Sequence, residues 1–201
     1  MSAGLRFGRW LSILLGAGLL ILLTGCAHPI TLAGDASALM GVGKTKLNHS
    51  VGLVIRDEDR KREVVTPGGG GDKLSYLPYR DLETGLYLGI SEAFTKVVRL
   101  NSLQDPKVKA ESLRYIITPE ITTTSYSPSL VTWPPTVFTV ELACKVSDAE
   151  GKAVTAVRVL GEGRAEFDEF KSDFSLAAKR AADDALRKLV QALAAASETL
   201  R

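Results

Sequence analysis

Phe138-Thr139-Val140-Glu141-Leu142-Ala143-Cys144-Lys145-Val146 places an apolar side chain at every second position. A period of two marks a strand with one face in a core. Phe138, Val140, Leu142, Cys144 and Val146 therefore point inward, and Thr139, Glu141, Ala143 and Lys145 outward. On that face Cys144 reads as a small buried hydrophobe and not as a nucleophile. Asp148-Ala149-Glu150-Gly151-Lys152 follows as a turn. The next strand sets Val157, Val159, Gly161, Gly163, Ala165 and Phe167 on one side and Arg158, Glu162, Arg164 and Glu166 on the other. Two glycines on its inner face leave room for a bulky neighbour, such as a helix lying close.

Working upstream, Leu113 to Tyr126 is rich in Ile, Thr and Tyr and reads as a strand. Pro119 within it has no amide to donate, which pushes that segment to a sheet edge or a bulge. The connection Ser127 to Thr136 sets Leu130, Val131 and Trp133 among Pro128, Pro134 and Pro135. An apolar loop tip of this kind either makes a partner contact or packs back on its own domain. Leu82, Leu86, Ile90, Ala93, Phe94 and Val97 recur at helical spacing, with Asp81 and Glu83 near the positive N-terminal end. Tyr76 and Tyr79 precede that helix as a contact site or as a staple of its start. Val51-Gly52-Leu53-Val54-Ile55 is the first strand, closed by the charged run Arg56 to Glu63. Pro67-Gly68-Gly69-Gly70-Gly71-Asp72 is a surface loop of high backbone freedom.

The last helix runs from Ser172 to Leu200. Its stripe is Ala178, Ala182, Ala185, Leu186, Leu189, Leu193 and Ala196, small enough for close approach to a sheet. Lys179, Arg180, Asp183, Asp184, Arg187 and Lys188 form the solvated side, with i,i+4 pairs such as Asp183–Arg187 and Asp184–Lys188. The order is β-α-β-β-β-α. It predicts the α+β class: a two-layer sandwich of a mainly antiparallel four-stranded sheet with two helices on one face. The charges on the last strand leave the other face wet.

The N-terminus has a different character. Arg6 and Arg9 precede an apolar stretch, Trp10 to Leu23, that ends in small residues. This is the layout of a secretory signal peptide over residues 1–25. Its apolar part, about 14 residues, falls short of the roughly 20 a spanning helix needs. The exit Leu23-Thr24-Gly25-Cys26 resembles the lipobox of bacterial lipoproteins. That resemblance implies diacylglyceryl transfer to the Cys26 thiol, cleavage before it and acylation of the freed amine with a palmitate-type chain. Ala27 and His28 follow, with no Asp after the cysteine, which by resemblance to enterobacterial sorting favours the outer membrane, with the domain facing the periplasm. Residues 26–46 then read as a lipidated N-terminus and flexible tether, rich in Ala, Gly, Ser and Thr. A free chain of ~20 residues reaches roughly 25 Å. Residues 47–201 form a single periplasmic domain.

Arg6 and Arg9 leave with the leader, so the mature 176 residues carry 23 basic and 23 acidic side chains. That balance lacks the clustered basic excess of a nucleic-acid binder. With Cys26 committed to lipid, Cys144 has no disulfide partner, and packing alone must hold the exported domain. Gly41-Val42-Gly43-Lys44-Thr45 imitates the end of a phosphate-binding loop. The further Gly that motif needs is replaced by Ala38, and no apolar strand precedes it. His28 and His49 have no metal-ligand company at the right spacing, and no nucleophile elbow or Cys–His pair stands out. The sequence predicts a non-catalytic protein with no metal and no cofactor.

A lipobox followed by β-α-β-β-β-α over residues 51–197 is similar to Gram-negative outer-membrane lipoproteins. These include the small lipoprotein of the lipopolysaccharide-assembly translocon and the auxiliary lipoproteins of lipid-trafficking ABC systems. Ile117-Thr118-Pro119-Glu120-Ile121 and the Ala-rich closing helix have the flavour of that group. The resemblance implies membrane lipids as a partner through acylated Cys26, and an accessory role in an envelope assembly or transport complex with a protein partner. Leu130, Val131 and Trp133 are the candidate contacts. The alternative is a lipid- or glycolipid-binding carrier with its pocket between sheet and helices.

Overall fold

A computed structural model describes residues 27–43, 45–68, 72–128 and 135–200. Its organising strand is β7 (Thr136–Asp148), flanked by antiparallel β6 (Tyr115–Tyr126) and β8 (Ala153–Ala165). The inward residues of β7, Phe138 to Val146, are all buried, as its alternation requires. The sheet order is β5-β2-β6-β7-β8, with β2 at Leu47–Val54 and β5 at Phe94–Leu100. The four expected strands are present, and β5 is a fifth. β2 runs parallel to both of its neighbours, so the sheet is mixed and not mainly antiparallel.

β5 corrects the reading of Phe94 and Val97 as helical. After the one-turn helix α1 (Asp57–Arg60), the helix α2 (Pro78–Ala93) stops at Ala93, and Phe94 is already extended, with φ −128° and ψ 152°. Thr95, Val97 and Val98 are β-branched and suit a strand beside β2. Helical spacing continued into them by coincidence. α2 starts with Pro78 in its first turn, where the missing amide costs nothing. It buries Leu82, Leu86, Ile90 and Ala93.

The C-terminal segment is also divided. β8 ends at Ala165, and Phe167 belongs to a short helix α4 (Phe167–Ser172), not to the strand. α4 opens with a reciprocal capping box between Glu166 and Glu169. The long helix α5 spans Leu176–Ala195 and lies on β8 and β7. Its small residues meet the two glycines of β8. A Cβ on Gly161 would collide with the backbone of Ala181 and Ala185, and one on Gly163 with Ala177 and Ala181. The glycines therefore let helix and sheet touch, and the space a carrier pocket would occupy there is filled.

The far face of the sheet is covered at one corner. Val54, Leu100, Val108, Leu113 and Ile116 form a second apolar cluster beneath α3 (Lys107–Ala110). On the remainder of that face Glu120, Thr122, Arg158 and Arg164 are exposed, as the charges of β8 suggest, and Thr139, Glu141 and Ala143 of β7 are half-buried between them. The α+β class is as expected, but the two-layer description is not matched: the far face carries a further layer at the β5–β2–β6 corner.

The segment after Cys26 departs most from expectation. Ala27–Pro29 is a strand, β1, in a second sheet with β3 (Val64–Pro67) and β4 (Lys73–Tyr76), in the order β1-β4-β3. Ile30, Leu32 and Leu39 are buried in the main core. A free tether over 26–46 is therefore ruled out from residue 27 onward: Ile30, Leu32 and Leu39 are spent on the domain, and only Met40 of its large apolar side chains stays exposed. The phosphate-loop imitation serves the same packing, since the Gly41 amide donates to Glu92 Oε2 at 2.8 Å.

Candidate functional site

The chemistry read most specifically from the sequence is that of Cys26, so the site is built outward from its neighbour Ala27. β1 pairs in parallel with β4, setting Ala27 opposite Lys73, His28 opposite Leu74 and Pro29 opposite Ser75. The Ile30 amide continues the ladder by donating to the Ser75 carbonyl at 2.9 Å. The His28 ring stacks on Phe174 with centroids 4.3 Å apart, and its Nε2 lies 3.3 Å from Asp72 Oδ1. Phe174 meets Phe170 edge-on at 4.9 Å, and Phe170 is wholly buried between α4 and the β3–β4 hairpin. One turn further, the Leu32 amide donates to the buried carboxylate of Asp81 at 3.2 Å. The residues after Cys26 are thus held by a ladder, an aromatic stack and the His28–Asp72 polar contact together.

The small sheet is fixed to the far end of β6. The Ser125 hydroxyl donates to the Pro67 carbonyl, and Tyr76 Oη lies 2.8 Å from Thr123 Oγ1. Tyr79 Oη accepts from the Ile121 amide at 3.2 Å. β2 pairs with β6 only from Tyr115 to Ile117, so the side of β6 beyond that point has no strand. Pro119 sits there, two residues before Ile121 and with the same amide direction. Its missing donor falls on the unpaired side, the edge position its ring demands. Tyr76 and Tyr79, both buried, are staples of that edge and not a contact site.

Beside this junction lies a groove of about 300 Å³, lined by Val65, Thr66, Pro67, Gly68, Asp72, Lys73 and Ser127. Val65 is 55% exposed, and Tyr126, at the end of β6, is 53% exposed. A second groove, of about 530 Å³, lies at the opposite end of the sheet, between Leu103, Pro106, Val108 and the turn Ala149–Gly151. Cys26, Leu130, Val131 and Trp133 lie outside the described residues. Their described neighbours Ala27, Pro128 and Pro135 belong to the same end of the molecule, because β6 leaves and β7 enters the sheet there.

Two titrating groups are informative. Cys144 is fully buried, and burial alone pushes its thiol up to about 12, so no thiolate forms near neutral pH. It is the packing residue its alternation indicated. At the surface, the Arg180 guanidinium grips Glu169 through Nη2–Oε1 at 2.9 Å and Nη1–Oε2 at 3.0 Å. With the Glu166 amide as a further donor, this holds the Glu169 carboxyl at about 2. The folded value lies below the ordinary 4.5. The contribution of this clamp is therefore complete above about pH 4.5 and is lost as pH falls toward 2. A carboxyl-resolved NMR titration is expected to place the Glu169 midpoint near 2. Glu169→Gln should flatten the dependence of thermal stability on pH in that window; an unchanged acid limb would mean that the clamp does not hold α4.

Among the described residues no group of three or more His, Cys, Asp or Glu could hold a metal ion. No described helix is long and apolar enough to cross a membrane.

No protein-family model matches the chain, and no curated protein matches it. Several solved structures are similar. One is a minor lipoprotein from Acinetobacter baumannii, at 11% identity over 76% of this chain and 96% of that one, with a TM-score of 0.47. A Xanthomonas campestris protein of the DUF330 family has 8% identity over 87% and 97%, with a TM-score of 0.45. An uncharacterized lipoprotein B from Nitrosomonas europaea has 12% identity over 76% and 87%, with a TM-score of 0.44. At such identities and scores the likeness assigns neither family nor role.

Proposed function

We propose that the protein is a bacterial lipoprotein, acylated at Cys26, that serves as a non-catalytic accessory subunit of an envelope assembly or transport complex. The observation that carries the reading is the lipobox Leu23-Thr24-Gly25-Cys26 set directly before a strand built into the domain. Ala27, the residue after the lipobox cysteine, is already paired with Lys73. Three acyl chains hold a protein stably on one leaflet, whereas a single chain binds marginally. The absence of Asp after Cys26 favours the outer membrane, with the domain in the periplasm. Where α5 meets β8 at Gly161 and Gly163 there is no room for a carrier's ligand, which favours the accessory role over the carrier alternative.

Recovery of the acylated protein from its own envelope in mild detergent, with proteins and lipids both identified, is the test. A stoichiometric envelope component is expected, and Trp133→Ala should reduce its recovery without lowering the melting temperature. Lipid recovered without any protein would overturn the accessory role.

A further inference from the structure

We propose that the end of the domain carrying β1 is itself a membrane-contacting surface. There the groove of Val65, Pro67, Gly68, Lys73 and Ser127, with the exposed Tyr126 ring, rests on the leaflet that holds the lipid of Cys26. This inference depends on the anchor reading above and adds an orientation to it. The first argument is distance. Ala27 is already in register opposite Lys73, so one Cα–Cα step of about 3.8 Å separates the lipid-bearing residue from the sheet. A free tether would let the domain stand off by roughly 25 Å; this attachment keeps the β3–β4 hairpin at the headgroups.

The second argument is stiffness. Rotation of the domain about its anchor is resisted by the β1–β4 ladder, the His28–Phe174 stack and the hydrogen bond from the Leu32 amide to Asp81. The third is surface chemistry. Val65, Pro67 and Tyr126 present apolar area at this end, with the exposed Lys73 beside them and the groove's one carboxylate, Asp72, in contact with His28. An amphipathic Tyr ring and a long Lys stem suit the boundary between headgroups and acyl chains. Along β7 the opposite end, with Leu103 and Glu150, lies about 40 Å away. It then points into the periplasm.

The test uses the full chain, acylated in cells and reconstituted in vesicles of phosphatidylethanolamine and phosphatidylglycerol. Single nitroxide labels are placed at Val65→Cys, Tyr126→Cys, Leu103→Cys and Glu150→Cys. Acylation consumes the Cys26 thiol, and Cys144 is buried, so neither competes for label. Labels at 65 and 126 should lose relaxation by a water-soluble nickel chelate and gain it from dissolved oxygen. Those at 103 and 150 should remain fully open to the chelate. Equal chelate access at all four sites, in protein that carries acyl mass and floats with the vesicles, would overturn the contact and leave the anchor intact. An intact mass without acyl chains would overturn both. Protection at 65 and 126 that appears only when envelope proteins are added would replace lipid with a protein as the occupant.

Discussion

Gly163→Val is expected to lower the melting temperature by about 6 °C or more, or to leave the protein unfolded. Gly163 faces α5 from β8, and any Cβ there overlaps the backbone of Ala177 and Ala181 as well as the Arg180 side chain. Two of these obstacles are main chain, which has no rotamer through which to escape. The helix would have to lift from the sheet, and Ala177, Ala178, Ala181 and Ala182, all buried, would lose their contacts together. Overpacking of a tight core costs about 1–3 kcal/mol and occasionally more. The upper part of that range, about 3 kcal/mol, applies where backbone must move. At ~2–4 °C per kcal/mol for a chain of this size, the shift follows. Ala156→Val, on the exposed side of the same strand, is the control and should stay within about 0.5 kcal/mol. Comparable melting temperatures for the two variants would mean that α5 is not seated against β8.

That contact shows which parts of the fold are legible in the chain and why. β7 and β8 announce themselves because one face is buried and the other wet along 13 residues each, giving a period of two. Gly161 and Gly163 on the inner face, read with the alanines of α5, already imply a helix at close approach. β5 does not announce itself. Phe94 and Val97 fall on the helical stripe of α2, and no Gly or Pro marks the change from helix to strand at Ala93. β1, β3 and β4 have three or four residues each, too few for any period to emerge. Their pairing is a long-range event, joining residue 27 to residue 73. For the same reason the acylation proposed at Cys26 rests on four adjacent residues, while the pairing of its neighbour Ala27 depends on a hairpin more than 40 positions away. Ala, Gly, Ser and Thr after a lipobox look like a tether by composition. Ile30, Leu32 and Leu39 among them are the side chains that tie it down.

Cys26→Ser, carried behind a leader whose cleavage needs no lipid on residue 26, should move the protein from the membrane fraction to the soluble fraction almost completely, without changing the melting temperature of its domain. The hydroxyl of Ser cannot replace the thiolate nucleophile on which thioether formation depends. Without the thioether the acyl chains are absent. Each chain contributes ~0.8 kcal/mol per buried CH₂, so their joint loss removes far more affinity than the groove and Tyr126 could supply alone. The fold should be indifferent to the change, because β1 is held by backbone pairing from Ala27 onward and by His28, not by residue 26. The measurement is fractionation after a high-salt wash, with intact mass and thermal melting on the same samples. With the leader shown by mass to be gone, retention of the serine variant on membranes would place the anchor in the domain itself and overturn Cys26 as the attachment. A lowered melting temperature in the released variant would carry a different meaning: the leaflet would then support the domain as well as hold it. That outcome is the one expected if the β1 end packs on lipid strongly enough to add to the stability of the β3–β4 hairpin.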